Sequence, residues 1–191
     1  MSYPTDPEFE AIDVRLNYNN VRSLARSGRT QVRNLGSALW SFTAKYNNLT
    51  RAEIGPILGF LASKRGGELP FEITPPVISD SAGNATGTLR ANGAHSAGDT
   101  TINMDGISGT IKAGDFIKFQ THSKVYMCTA DFTNSGTMTI EPPLHSSVAD
   151  NDTVTYNAVP FNMRQARDVQ QFKLSGYEQY QFEVDFMESL P

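Results

Sequence analysis

The sequence predicts a mainly β fold with one short helix: an α+β domain into which a small β-barrel is inserted. Three observations carry this. Apolar and polar residues alternate towards both ends of the chain, in Ala11–Leu16, Leu39–Tyr46 and Tyr177–Met187. A single stretch, Thr50–Gly67, combines helical spacing with capping residues. Between Val77 and Tyr156 short apolar runs separated by turn residues, roughly one every ten positions, replace both patterns, as in small barrels. Residues 1–76 and 158–191 are therefore expected to be two parts of one domain, and 77–157 the inserted module.

Each element has its own reason. Ile12, Val14 and Leu16 fall on one face of a strand, and the Asn-rich run Asn17–Asn20 reads as a turn. Val21–Leu24 and Thr30–Leu35 read as strands around Ser27-Gly28, where a positive φ suits glycine. Trp40, Phe42, Ala44 and Tyr46 share one side of the next strand, a row that belongs in a core. Thr50 with Glu53 forms a capping box, followed by Ile54, Ile57, Leu58 and Leu61 at helical intervals and by Lys64-Arg65 and Gly66-Gly67. Pro56 lies inside this run and should kink it or delay its start. Leu69–Ile73 is a short strand stopped by Pro75-Pro76.

In the inserted segment, Ser79–Gly98 is small and polar, as in an exposed hairpin or loop. Strands are expected at Thr100–Met104, Phe116–Phe119, Lys124–Thr129, Thr137–Ile140 and Thr153–Tyr156. After Pro160, Val169–Leu174 and Tyr177–Met187 read as strands. The last places Tyr180, Phe182, Val184 and Phe186 on one face, and must be docked in a sheet because an open edge of that kind would aggregate.

Composition narrows the chemistry. Charged residues are 19% of the 191, below the usual figure of about 25%, while Asn, Thr, Ser and Gly abound. Cys128 is alone, so no intrachain disulfide or Cys-based metal site is expected. Its strand context favours a buried, inert thiol. His95, His122 and His145 lack zinc-site spacing and fall in loops or strand ends, where solvated histidine is ordinary. Asp99, Asp105, Asp115 and the Asp150-Asn-Asp152 loop read as turn formers, not calcium ligands. No phosphate-cradling glycine motif precedes a helix. The expectation is no catalytic residue, no cofactor and no metal. The N-terminus has no signal-peptide pattern and no run approaches the ~20 apolar residues of a membrane helix, so a protein soluble in a cytoplasm, without membrane insertion, is expected.

The net charge of −4 is unevenly spread. Residues 1–65 carry nine Lys/Arg against five Asp/Glu, and 66–191 carry seven against fifteen. Arg15, Arg22, Arg26, Arg29 and Arg33 dominate the basic part without the aromatic interleaving of a nucleic-acid site. Two readings stand: arginines pointing outward from solvated strands, or a basic face that meets an acidic face of a neighbouring copy.

Trp40-Ser-Phe-Thr-Ala-Lys-Tyr46 with the following helix, and Arg65-Gly-Gly-Glu-Leu-Pro-Phe71, resemble segments of small tail-tip proteins of long-tailed bacteriophages. So do Lys112-Ala-Gly-Asp-Phe-Ile-Lys-Phe119, Lys124-Val-Tyr-Met-Cys-Thr-Ala-Asp131 and Thr137-Met-Thr-Ile-Glu-Pro-Pro-Leu144. The likeness covers most of the chain from Leu39 to Leu190 and is to the distal tail protein, or baseplate hub adaptor, family. It implies a homo-oligomeric ring, generally of six copies, in the virion at the tail tip, assembled in the host cytoplasm. The ring's belt domain would be 1–76 with 158–191, and 77–157 an OB-like or galectin-like barrel. Its partners would be the tail tube protein, the baseplate hub and fibre or receptor-binding proteins, with DNA only in transit through the lumen. Arg22, Arg26, Arg29, Arg33, Tyr180 and Phe182 would then lie at the subunit interface, leaving the lumen neutral or acidic.

Two other readings compete. Another tail adaptor, such as a tube initiator or tail-completion ring, would belong to the same particle and differ in its location there and in whether an outer barrel projects sideways. A carbohydrate-binding module would instead present Phe116, Phe119, Tyr126 and Phe132 or Tyr156 as a sugar-stacking face.

Overall fold

The computed structural model describes residues 2–168, 172–175 and 179–190. The chain is mainly β, with one α-helix among the described residues, and it divides into two units. One unit holds Pro4–Leu69 and Arg164–Glu188; the other holds Pro70–Met163 with short pieces from the chain ends.

The first unit is built on a very long antiparallel hairpin. β1 (Ala11–Leu24) pairs with β2 (Thr30–Leu49), and β14 (Gln179–Glu188) pairs with the other edge of β2. Thus Asn17–Asn20, expected as a turn, continues β1. Side-chain bonding holds it there: Asn17 Nδ2 donates to Ser41 Oγ at 2.8 Å across the pair. The irregularity sits opposite, where residues 35–37 of β2 face Asn19 alone and Asn34 Oδ1 accepts from the Gly36 amide at 2.7 Å. Gly36 takes a φ of +87° there, which costs glycine nothing. The row Trp40, Phe42, Ala44 and Tyr46 is buried together with Phe182, Val184 and Phe186 of β14.

Helix α1 (Arg51–Ser63) starts where the capping box places it. The Thr50 amide donates to Glu53 Oε2 at 2.7 Å, and the Glu53 amide donates to Thr50 Oγ1 at 3.4 Å. Pro56 does not delay the start; the helix runs through it, with Ile54, Ile57, Phe60 and Leu61 buried. Lys64 is the C-cap, its ammonium lying 5.0 Å from the Phe60 ring centroid. The buried Gln165 side chain donates to the Leu61 carbonyl at 2.8 Å, which ties the returning chain to the helix end. β13 (Phe172–Ser175) pairs with β14. Residues 169–171 of the strand expected at 169–174, and the first two residues of the one expected at 177–187, lie outside the described residues.

In the second unit, β3 (Phe71–Ile73) pairs with the Phe161–Met163 part of β12 (Phe161–Gln165). The remaining long strands are β4 (Thr86–Ala91), β5 (Thr101–Ser108), β7 (Phe116–Phe119), β8 (Val125–Cys128), β10 (Gly136–Glu141) and β11 (Thr153–Thr155). They close into a six-stranded barrel in the order β10-β5-β4-β11-β7-β8, every neighbouring pair antiparallel. A small pair, β6 (Thr110–Ile111) with β9 (Phe132–Thr133), lies off it.

β4 falls in the stretch read as an exposed hairpin or loop. Only Leu89 and Ala91 on it are apolar, yet both are buried in the barrel core. A bulge gives β4 three steps to two of β5, and glycines permit the approach: a Cβ on Gly106 would sit 2.2 Å from the Thr88 carbonyl oxygen. Asp115 is also more than a turn former. Its buried carboxylate accepts from the Ala82 and Lys112 amides, each at 2.9 Å, and from the Ser81 hydroxyl. That explains the aspartate in Lys112-Ala-Gly-Asp115: it clasps its own turn and the strand-free segment before β4.

Candidate interaction site: a basic hairpin arm

Beyond the irregularity at Gly36, both strands of the β1–β2 hairpin are exposed to solvent among the described residues. Every residue in 17–36 is exposed, Leu24 at 74%. Five of the eight exposed large apolar residues among the described residues are here: Tyr18, Val21, Leu24, Val32 and Leu35. Four arginines accompany them, and no Asp or Glu occurs between 17 and 36.

The register interleaves the two kinds. Arg22 is opposite Val32, Val21 opposite Arg33, and Leu24 opposite Thr30. Opposed residues share a face of an antiparallel pair, so each face of the arm carries both a guanidinium and an apolar group. The tip is a tight turn: Gly28 N donates to the Ala25 carbonyl and Ala25 N to the Arg29 carbonyl, both at 2.9 Å, with Gly28 at φ +78°. This is the three-residue loop in which a left-handed residue closes a bulge, and it projects Arg26 and Arg29 at the end of the ribbon.

Of the residues expected at a subunit interface, Arg22, Arg26, Arg29 and Arg33 are thus gathered on one exposed arm. Phe182 is not on that surface. It is 4% exposed, its ring 6.3 Å from Tyr46 inside its own sheet, and Tyr180 is half-buried. An aromatic that alternates with Val184 and Phe186 is consumed by the core, which is the ordinary fate of an amphipathic strand's apolar face.

The sugar-stacking face is likewise absent from the barrel surface. Phe116, Phe119, Tyr126, Phe132 and Tyr156 are all buried, four of them in the barrel core cluster. Their phenol groups are engaged too. Tyr156 Oη donates to the Gly87 carbonyl at 2.9 Å, and Tyr126 Oη lies 2.9 Å from His122 Nδ1 while accepting from the His145 amide at 3.0 Å.

His122 departs from the solvated histidine expected. It is buried, with Nε2 3.2 Å from the Ser147 carbonyl and Nδ1 on Tyr126, so the network assigns the proton to Nε2 and makes Nδ1 the acceptor. His95 Nε2 accepts from the Asn103 amide at 3.2 Å. Cys128 is buried against Met138; burial, aided by the Asp115 charge, pushes its thiol up to about 12. Among the described residues no group of three or more His, Cys, Asp or Glu could hold a metal ion, and no helix is long and apolar enough to cross a membrane. No protein-family model matches the chain, and no curated protein matches its sequence.

Proposed function

We propose that this chain is a structural subunit of a bacteriophage tail tip, forming a ring that joins the tail tube to the hub, baseplate or fibres. The observation that carries the reading is the arm. A two-stranded ribbon is marginal alone in water, and one that exposes Val21, Leu24, Val32 and Leu35 is a surface built to be covered. Natural proteins blunt such edges unless another chain uses them. The resemblance of Trp40–Tyr46, Arg65–Phe71, Lys112–Phe119, Lys124–Asp131 and Thr137–Leu144 to segments of distal tail proteins supports this reading. The barrel suits a scaffold role, since its closure leaves no strand edge to recruit partners.

In this reading the arginines face neighbouring copies, away from the lumen, where phosphates in transit would otherwise be held. Light scattering and native mass spectrometry over a concentration series provide the test, with imaging of any ring. A closed ring of six, or another multiple of three, supports the proposal. A chain that stays monomeric and does not bind the end of purified tail tubes overturns it.

A further inference from the structure

The long β1–β2 ribbon is polarised in charge. Its arm end holds four arginines and no acid between 17 and 36. Its other end is entered by the lead-in Pro4–Glu10, which holds Asp6, Glu8 and Glu10, all exposed, and no base. The lead-in is fixed there: the Glu10 amide donates to the Lys45 carbonyl at 3.0 Å, and the Phe9 ring lies 5.3 Å from Tyr46. Glu10 and Arg22 are twelve residues apart along an extended chain, about 40 Å at the strand rise. An arm cannot reach the lead-in of its own copy.

We infer that the arm of one copy docks on the lead-in of the next, so that the ribbons join head to tail. This rests on the ring reading above and names the surface that receives the arm. Both partners alternate. The lead-in sets half-buried Pro7 and Phe9 between its carboxylates, and the arm sets Val21 and Leu24 beside its guanidiniums. Arginine–carboxylate pairs have the fork geometry for bidentate bonding, and the interleaved apolar groups are removed from water in the same contact. The barrel is the poorer receiver: no large apolar side chain is exposed between residues 86 and 155. Because donor and acceptor surfaces differ, the contact is heterologous and propagates until the rotation closes a ring.

Two variants test this. One reverses the arm (Arg22→Glu, Arg26→Glu, Arg29→Glu); the other reverses the lead-in (Asp6→Lys, Glu8→Lys, Glu10→Lys). All six side chains are exposed, and circular dichroism with thermal unfolding checks that both variants fold as wild type. By sedimentation, each alone should need more than about tenfold higher concentration to associate. Mixed in equal amounts, each variant offers what the other lacks, and association should return to within about threefold of wild type. If wild type associates and the lead-in variant does so equally well, or the mixture stays apart, this inference is overturned and the ring reading stands. A wild type that never associates overturns this inference together with the ring assembly on which it rests.

Discussion

Replacing Tyr126 with Phe removes one oxygen from the barrel core and leaves its volume filled. That oxygen serves two partners: it donates to His122 Nδ1 and accepts from the His145 amide. His122 cannot turn elsewhere, since its Nε2 is committed to the Ser147 carbonyl and the ring is 7% exposed. Among the described residues no buried side-chain nitrogen or oxygen is left without a partner, so the substitution creates a vacancy where there was none. An unsatisfied buried group costs about 1–3 kcal/mol; with the amide's partial loss added, Tyr126→Phe should destabilise the barrel unit by about 2–3 kcal/mol. For a unit of this size that lowers the melting temperature by roughly 10–20 °C. Calorimetry or urea unfolding at neutral pH reads it directly. A loss under about 0.5 kcal/mol, the range of an ordinary surface change, would refute the linked-hydroxyl reasoning.

Thr50→Ala should remove the helix cap at about 1 kcal/mol, read as a lowered denaturation midpoint of the first unit. Cys128 should resist a thiol reagent at pH 8 in the native state and react on unfolding, because its thiol is pushed up to about 12; prompt native labelling contradicts the burial. Asp131 is held below its usual 3.8 by Lys112 Nζ, bonded at 2.7 Å, and by the Ala113 amide. Its stabilisation is complete above the unfolded value and fades as pH falls through the lower folded one. Asp131→Asn should therefore flatten the stability curve below about pH 4 and leave its slope above unchanged. Finally, Leu24→Ser should leave folding stability within about 0.5 kcal/mol while weakening self-association; a matched loss in both would place Leu24 in a core.

Local chemistry made some elements legible. The Thr50–Glu53 pair marked the helix start, although Pro56 argued for a later one. Alternation grouped Trp40, Phe42, Ala44 and Tyr46, and Phe182, Val184 and Phe186, on the faces that are buried. Other features depended on contacts distant in sequence. Asn17–Asn20 has turn composition, but cross-strand bonding to Ser41 makes it strand, so one arm replaced two short hairpins. β4 has two apolar residues, and only closure of the barrel gives Leu89 and Ala91 something to pack on. His122 reads as a loop residue because its partners, Tyr126 and Ser147, sit on other segments. The arginines of the arm were visible as a cluster; their exposure was not, because periodicity describes how a strand alternates and not whether anything lies against it.

The pairing of Ile73 with Phe161 gives the barrel a single doorway. The chain departs and comes back through adjacent antiparallel partners, so the eighty-odd residues between them form one closed excursion. While the barrel is folded, that excursion adds no disorder to the β3–β12 contact. If the barrel melted, holding the doorway shut would oppose loop entropy of roughly 4 kcal/mol, growing only logarithmically with length. Such a site tolerates exchange: a longer module, a different one, or a two-residue turn could occupy the same portal, provided its own ends lie side by side. Natural variation within such scaffolds should therefore concentrate beyond Ile73 and before Phe161, in whole cassettes rather than in scattered substitutions.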